Sequence, residues 1–209
     1  MVKPGASVID VGTDHAMVPV WLIQTGVASR ALATDIRSGP LQHAASLIEE
    51  TGTAEHIRLL QTDGLAGVGR SDGDTVILAG MGGETMVSIL SAAPWTKEGI
   101  SLILEPQSKK ADLRRFLIKN GYQITAERLV KDTGRIYPIL CAQGGASPAY
   151  TEAELHLGLL SQIGHDPLFL EYLDRMRAQA EKAAPYDPAS ASLVEAYNDI
   201  KRRLAPCPQ

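Results

Sequence analysis

From residue 7 to about residue 143 the chain alternates short, continuously apolar runs with longer stretches of helical period. Val8-Ile9, Ala31-Leu32-Ala33, Val76-Ile77-Leu78-Ala79 and Leu102-Ile103-Leu104 do not alternate apolar with polar, as a half-solvated strand would. A strand that is apolar on both faces has to be covered on both faces. Strands of that kind, separated by helices, build a parallel, doubly wound α/β sheet. The pattern places strands at 7–11, 30–35, 58–62, 75–79 and 101–105, and helices at about 15–25, 40–51, after 84, and 108–120. Leu41, Ala44, Ala45 and Ile48 share one face of the second helix; Met86, Ile89 and Leu90 point inward from the third, and Leu113, Phe116 and Leu117 from the fourth.

The last part of the chain departs from this rhythm. Segments 123–129 and 136–141 read as strands joined across Lys131-Asp132-Thr133-Gly134, where Asp-Thr-Gly suits a hairpin. An antiparallel hairpin therefore closes the parallel sheet. Beyond the loop Gly144-Gly145-Ala146-Ser147-Pro148 the chain is helical, at 151–163, 167–184 and 189–204. Leu155, Leu159 and Leu160 form one apolar face, and Leu168, Leu170, Leu173 and Met176 with Phe169 and Tyr172 another. Pro185 and Pro188 bracket a turn that lets the last two helices fold back on each other. The expected organisation is a sheet domain over 1–146 and a helical, coiled-coil-like appendage over 147–209.

Composition excludes several classes. No stretch approaches the ~18 apolar residues of a membrane span, and MVKPGASVID enters a strand without a secretory apolar core. Cys141 and Cys207 lie far apart with no zinc-type spacing, which points to a reduced, cytoplasmic compartment and no metal. The net charge of −4 argues against a generally basic nucleic-acid binder, but the charge is segregated. Residues 105–135 hold eight Lys and Arg against four Asp and Glu, whereas 150–209 hold six against nine. On the helix KKADLRRFLIKN, Lys110, Arg114, Arg115 and Lys119 are expected to project outward, as phosphate contacts or as an ordinary solvated face.

In an open parallel sheet, ligands sit at the carboxyl ends of the strands near the switch point. Those ends carry Asp10-Val11-Gly12-Thr13-Asp14-His15, then Asp35, then Asp63-Gly64, then Ala79-Gly80-Met81-Gly82-Gly83. A dinucleotide would need a glycine-rich first loop to cradle its pyrophosphate. Two aspartates there would repel it, and suit instead a ligand that is cationic and rich in donors. S-adenosyl-L-methionine fits: Asp35 stands where an acid takes ribose hydroxyls, and Asp63 can accept from an adenine amino group. Taken singly, Asp14 could cap a helix, His15 could be structural and Asp35 merely solvated. The three glycines of 80–83 are expected to let the methionine end of the cofactor and a base approach the backbone, with Met81 as an apolar wall.

VIDVGTDHAMVP, ATDIRSGPL, TDGL, ILAGMGGE, LILEPQ and GRIYPIL together resemble the bacterial tRNA (adenine-N1)-methyltransferases that modify position 22 in the D-arm. The resemblance runs from about residue 7 to 142, and more loosely through Gly158-Leu159-Leu160 and the segment from Asp166 to Leu173. It implies a Rossmann-like class I methyltransferase fold, S-adenosyl-L-methionine as methyl donor and tRNA as substrate. Apart from the resemblance, an exposed helical hairpin suits a monomer or weak homo-oligomer. The resemblance also implies cofactor contacts at Asp10, Gly12, Asp14, His15, Asp35, Asp63, Gly64, Ala79 and Gly80, with the reacting base facing Gly80, Met81, Gly82 and Gly83. Two departures stand out. The sequence begins a few residues before the first strand, so the helix that usually precedes that strand is expected to be absent, and Glu105-Pro106-Gln107-Ser108 replaces a Gln-Pro-Asn type of sequence. The residues of 79–83 offer no side-chain acceptor, which suits attack by a ring nitrogen whose lone pair is already free. Two other readings share the same cofactor: methyl transfer to a small molecule, and cofactor and RNA binding without catalysis.

Overall fold

A computed structural model describes residues 1–204 of the chain; Cys207 lies outside them. Seven strands form one sheet: β1 (Ala6–Val11), β2 (Ala28–Asp35), β3 (Ile57–Gln61), β4 (Thr75–Met81), β5 (Ser101–Pro106), β6 (Tyr122–Asp132) and β7 (Arg135–Gly144). Their order is β3-β2-β1-β4-β5-β7-β6. The first five are parallel, and β7 runs antiparallel to β5 with Leu102 opposite Ala142 and Leu104 opposite Leu140. The strand order reverses direction between β1 and β4, which opens a crevice at their carboxyl ends.

Two compact units divide the chain. One comprises Met1–Ala126 and Ile139–Ser147; the other comprises Glu127–Pro138 and the chain from Pro148 onward. In the first, Val8, Ile9, Val76, Leu78, Leu102 and Leu104 are wholly excluded from solvent. This is why those runs are continuously apolar: each side chain so buried contributes about 1.5–3 kcal/mol, whichever face of the strand it leaves. Helices α1 (Met17–Gln24), α2 (Ser38–Glu50), α3 (Gly83–Ala92) and α4 (Lys110–Lys119) follow β1, β2, β4 and β5, and no helix separates β3 from β4. On α3, Met86 and Leu90 bury as expected, but Ile89 is only partly covered. On α4, Leu113 and Leu117 are buried while Phe116 is half-buried.

The second unit holds α5 (Glu152–Leu157), α6 (Leu160–Ile163), α7 (Phe169–Ala183) and α8 (Pro188–Leu204). A capping box starts α5: the Thr151 side chain accepts the Glu154 N–H, and Glu154 returns the bond to the Thr151 N–H. The single helix expected over 151–163 is broken in two at Gly158-Leu159. The buried Glu127 carboxylate accepts the Leu159 N–H at 3.0 Å, and a Cβ on Gly158 would lie 2.8 Å from its Oε2. Glu127 stands 32 residues upstream, so no local period reveals it. Phe169, Tyr172 and Leu173 of α7 pack with Tyr197 and Ile200 of α8. Leu170, expected on that face, is 51% exposed, because it falls one position outside the buried stripe.

Candidate functional site

A cavity of about 420 Å³ opens in the first unit at the carboxyl ends of β1, β2 and β4. It gathers Gly12, Asp14, Asp35, Asp63, Gly64, Ala79, Gly80 and Met81, residues separated by up to 69 positions in sequence. A second cavity of about 430 Å³ lies by the opposite ends of β2 and β3, where Arg30 and Arg58 are offset by Glu55 and Asp72. The first has the convergent polar groups of a small-molecule site; the second is electrically balanced, with Arg58 already paired to Asp72.

Each side chain is set by the strand that ends beside it. Asp35 is the last residue of β2 and is buried. Its Oδ1 accepts the Arg37 N–H at 2.9 Å and lies 3.6 Å from the Arg37 guanidinium. Both contacts fall on one oxygen, leaving Oδ2 as the acceptor for a hydroxyl in the cavity. Asp63 is exposed, in the turn after β3, where its carbonyl accepts the Ala66 N–H. Asp14 has a left-handed backbone, φ 52°, and lies 3.8 Å from His15 Nε2.

Four of the expected cofactor and base residues line no part of the cavity. Asp10 lies beneath the loop that it supports: its carboxylate accepts the Thr13 hydroxyl at 2.6 Å and is buried. Burial pushes its pKa from 3.8 up to about 6, against the lowering effect of the Thr13 bond. His15 stacks instead on His43, ring centroids 4.9 Å apart and 13° from parallel. Gly82 and Gly83 face the segment after β5. A Cβ on Gly82 would meet Ser108 Oγ at 3.1 Å; one on Gly83 would meet the Lys109 carbonyl oxygen at 2.5 Å. Of the three glycines, only Gly80 lines this cavity. Gly80, with φ 75°, shapes the cavity wall, and Gly83 lets α3 start against the backbone of residues 108–109.

The cavity also takes in Val11, Thr34, Ile36, Arg37, Thr62, Thr85 and Ile89, which sequence reasoning had not assigned to it. Ile36 had one readable signal, an apolar residue directly after a strand-end acid, and it is 58% exposed. Ile89 did not, since its helical period matches the core residues Met86 and Leu90.

The basic helix differs from expectation at one position. Arg114 is fully buried, because it falls on the same face as Leu113 and Leu117. Lys110 is half-buried; burial holds its pKa below the usual range, aided by the Arg114 charge and opposed by Glu105. Arg115 pairs with Asp112 at 2.9 Å, and Lys119 is exposed at the helix end. In the second unit Arg175 pairs with Glu171, and Arg177 with Glu181.

The family model described as a methyltransferase domain matches residues 1–140. The tRNA (adenine(22)-N(1))-methyltransferase of Bacillus subtilis is 34% identical over 158 residues, 75% of this chain, and the match spans 66% of that relative's length. Among solved structures, Sp1610 of Streptococcus pneumoniae in complex with S-adenosyl-L-methionine is 29% identical with a TM-score of 0.87. The match covers 96% of this chain and 94% of that one. The B. subtilis m1A22 tRNA methyltransferase TrmK is 25% identical with a TM-score of 0.77, over 98% of this chain and 94% of its own.

Proposed function

The chain belongs to the methyltransferase-domain family, and from that premise we propose that it transfers a methyl group from S-adenosyl-L-methionine to N1 of adenine 22 in the D-arm of tRNA. The observation that carries the reading is the convergence of Asp35, Asp63 and the Gly80-Met81 wall on one cavity. Its volume of about 420 Å³ falls within the ~300–1,000 Å³ of small-molecule sites. The naming of a B. subtilis relative as a tRNA (adenine(22)-N(1))-methyltransferase supports the choice of base.

The residues present fit this cofactor. Asp35 Oδ2 would accept from a ribose hydroxyl, Asp63 from the adenine amino group, and Ile36 and Ile89 would flank the flat adenine ring. Asp14 sits in the first loop, where its carboxylate favours a cationic ligand. When bound, S-adenosyl-L-methionine supplies a methyl group on a positively charged sulfur, which passes to N1 as the carbon–sulfur bond breaks. Adenine N1 carries an unprotonated lone pair at neutral pH, so the chain need supply no base. Its task is to orient the ring against Gly80 and Met81 and to exclude water. Exposing a stacked base costs a few kcal/mol, and phosphate contacts from Lys110, Arg115 and Lys119 would offset that. Arg114, being buried, drops out of that surface. The reading carries with it a cytoplasmic protein, monomeric or weakly self-associating, that needs no metal. Among the described residues no helix is long and apolar enough to cross a membrane.

Incubation with unmodified tRNA and labelled cofactor, followed by nucleoside analysis, tests the reading. Label in 1-methyladenosine at position 22 is expected. Label in N6-methyladenosine, or in no nucleoside, would overturn it. Two substitutions refine the test. Asp35→Ala is expected to weaken S-adenosyl-L-methionine binding by about 1–3 kcal/mol, the cost of a lost carboxylate acceptor; calorimetry with unchanged affinity would remove Asp35 from the site. Lys119→Ala is expected to lower the log–log salt slope of tRNA binding by just under ~1 unit with cofactor affinity unaltered. An unaltered slope would leave Lys119 as a solvated charge.

A further inference from the structure

We propose that Glu105 is a positioning residue for methyl transfer, acting through the amide of Gly80. The inference rests on the function proposed above. Strands β4 and β5 pair in regular register from Thr75 opposite Ser101 to Ala79 opposite Glu105, then slip, so that Met81 faces Pro106. Gly80 is the extra residue of that bulge, and a bulge leaves its amide outside the strand ladder. The Glu105 side chain replaces the missing partner: its Oε2 accepts the Gly80 N–H at 2.9 Å. The carboxylate is itself held, because Gln107 Nε2 donates to Oε1 at 2.9 Å and to Oε2 at 2.8 Å.

The ladder resumes beyond the bulge, with the Gln107 N–H donating to the Met81 carbonyl at 2.9 Å. One side-chain bond therefore governs the backbone between Ala79 and Met81. That is the stretch of β4 that lines the cavity, whereas Glu105 does not line it. Gly80 has a left-handed backbone, φ 75°, and no heavy atom within 4 Å of where its Cβ would be, so packing does not hold it. Met81 reaches across to within 3.1 Å of the position of a Gly12 Cβ, which couples the bulge to the first loop of the site. A wall of the reaction cavity thus depends on a single acceptor located behind it.

The test compares Glu105→Ala and Glu105→Gln in the full chain. For each, kcat for tRNA methylation, KM for the cofactor, Tm and hydrogen exchange of the Gly80 amide are measured. Glu105→Ala is expected to lower kcat about 10- to 100-fold, the scale of a small misplacement of reacting groups. Its cofactor KM and Tm should stay close to those of the unsubstituted protein, and its Gly80 amide should exchange faster. Glu105→Gln keeps an acceptor oxygen and should restore both kcat and amide protection. The proposal is overturned by an unchanged kcat in Glu105→Ala, or by a fall of kcat, cofactor affinity and Tm in step. It is also overturned if Glu105→Gln is as impaired as Glu105→Ala, since charge and not the acceptor would then matter. Absence of tRNA methylation by the unsubstituted protein would instead sink the functional reading. In that event the Gly80 exchange comparison still decides whether Glu105 holds the amide.

Discussion

Replacing Asp10 by Asn is expected to abolish a pH dependence of stability worth about 3 kcal/mol between pH 4 and 7. Folding buries this carboxyl and moves its pKa from 3.8 to about 6. Below pH 3.8 it is protonated in both states and contributes no difference. Between pH 3.8 and 6 the unfolded chain loses the proton that the native state retains, so stability falls as pH rises. Above pH 6 the native carboxylate is charged and the full cost is present. Asn keeps an acceptor for the Thr13 hydroxyl but cannot ionise. Glu171 and Asp187 lie below the usual carboxylate range, held there chiefly by the Lys131 ammonium and the Ser190 hydroxyl. They act with opposite sign and at lower pH, equally in both proteins. Urea unfolding of the pair at several pH values, without cofactor, therefore isolates Asp10 in the difference. Parallel curves would mean that Asp10 is ionised and solvated in the native state.

The sheet is legible in the sequence because its energetics are local to each strand. A run such as Val76-Ile77-Leu78 must be covered on both faces wherever it lies, and the five parallel strands and closing hairpin follow from that. The helical unit is less legible because a distant carboxylate rules it. Leu155, Leu159 and Leu160 match one continuous helix by period, yet Glu127 takes the Leu159 amide and ends α5. A buried acid that caps a helix 32 residues away leaves no local trace.

The site divides along similar lines. Asp35, Asp63, Gly12 and Gly80 line the cavity at the strand ends, where ligands of such sheets gather, and strand ends are readable in a sequence. Thr85 and Ile89 were missed because they approach from α3, whose rotation about its axis depends on packing. Arg114 was misplaced for the same reason, and more sharply. A ten-residue helix with two adjacent arginines gives no sign of which one turns inward, and the one beside Leu113 and Leu117 does. Charge predicts exposure only when no element covers that face.

Rotation of α3 also decides what Gly82 and Gly83 are for, and a pair of valines separates them. Gly83→Val should destabilise the protein by about 3 kcal/mol or more, the upper range for overpacking. A Cβ there would lie 2.5 Å from the Lys109 carbonyl oxygen and 2.9 Å from that of Ser108. Both are backbone atoms, and the Gly83 N–H already donates to the Ser108 carbonyl at 2.9 Å, so neither side can withdraw without breaking that bond. A Tm lower by roughly 6–12 °C is the corresponding expectation for a chain of this length. Gly82→Val meets a softer neighbour. Its Cβ would lie 3.1 Å from Ser108 Oγ, a hydroxyl on one rotatable bond, and φ −69° with ψ 148° suits a β-branched residue. It should lose far less stability. If the two variants melt at the same temperature, the close approach of α3 to residues 108–109 is not what requires glycine at 83.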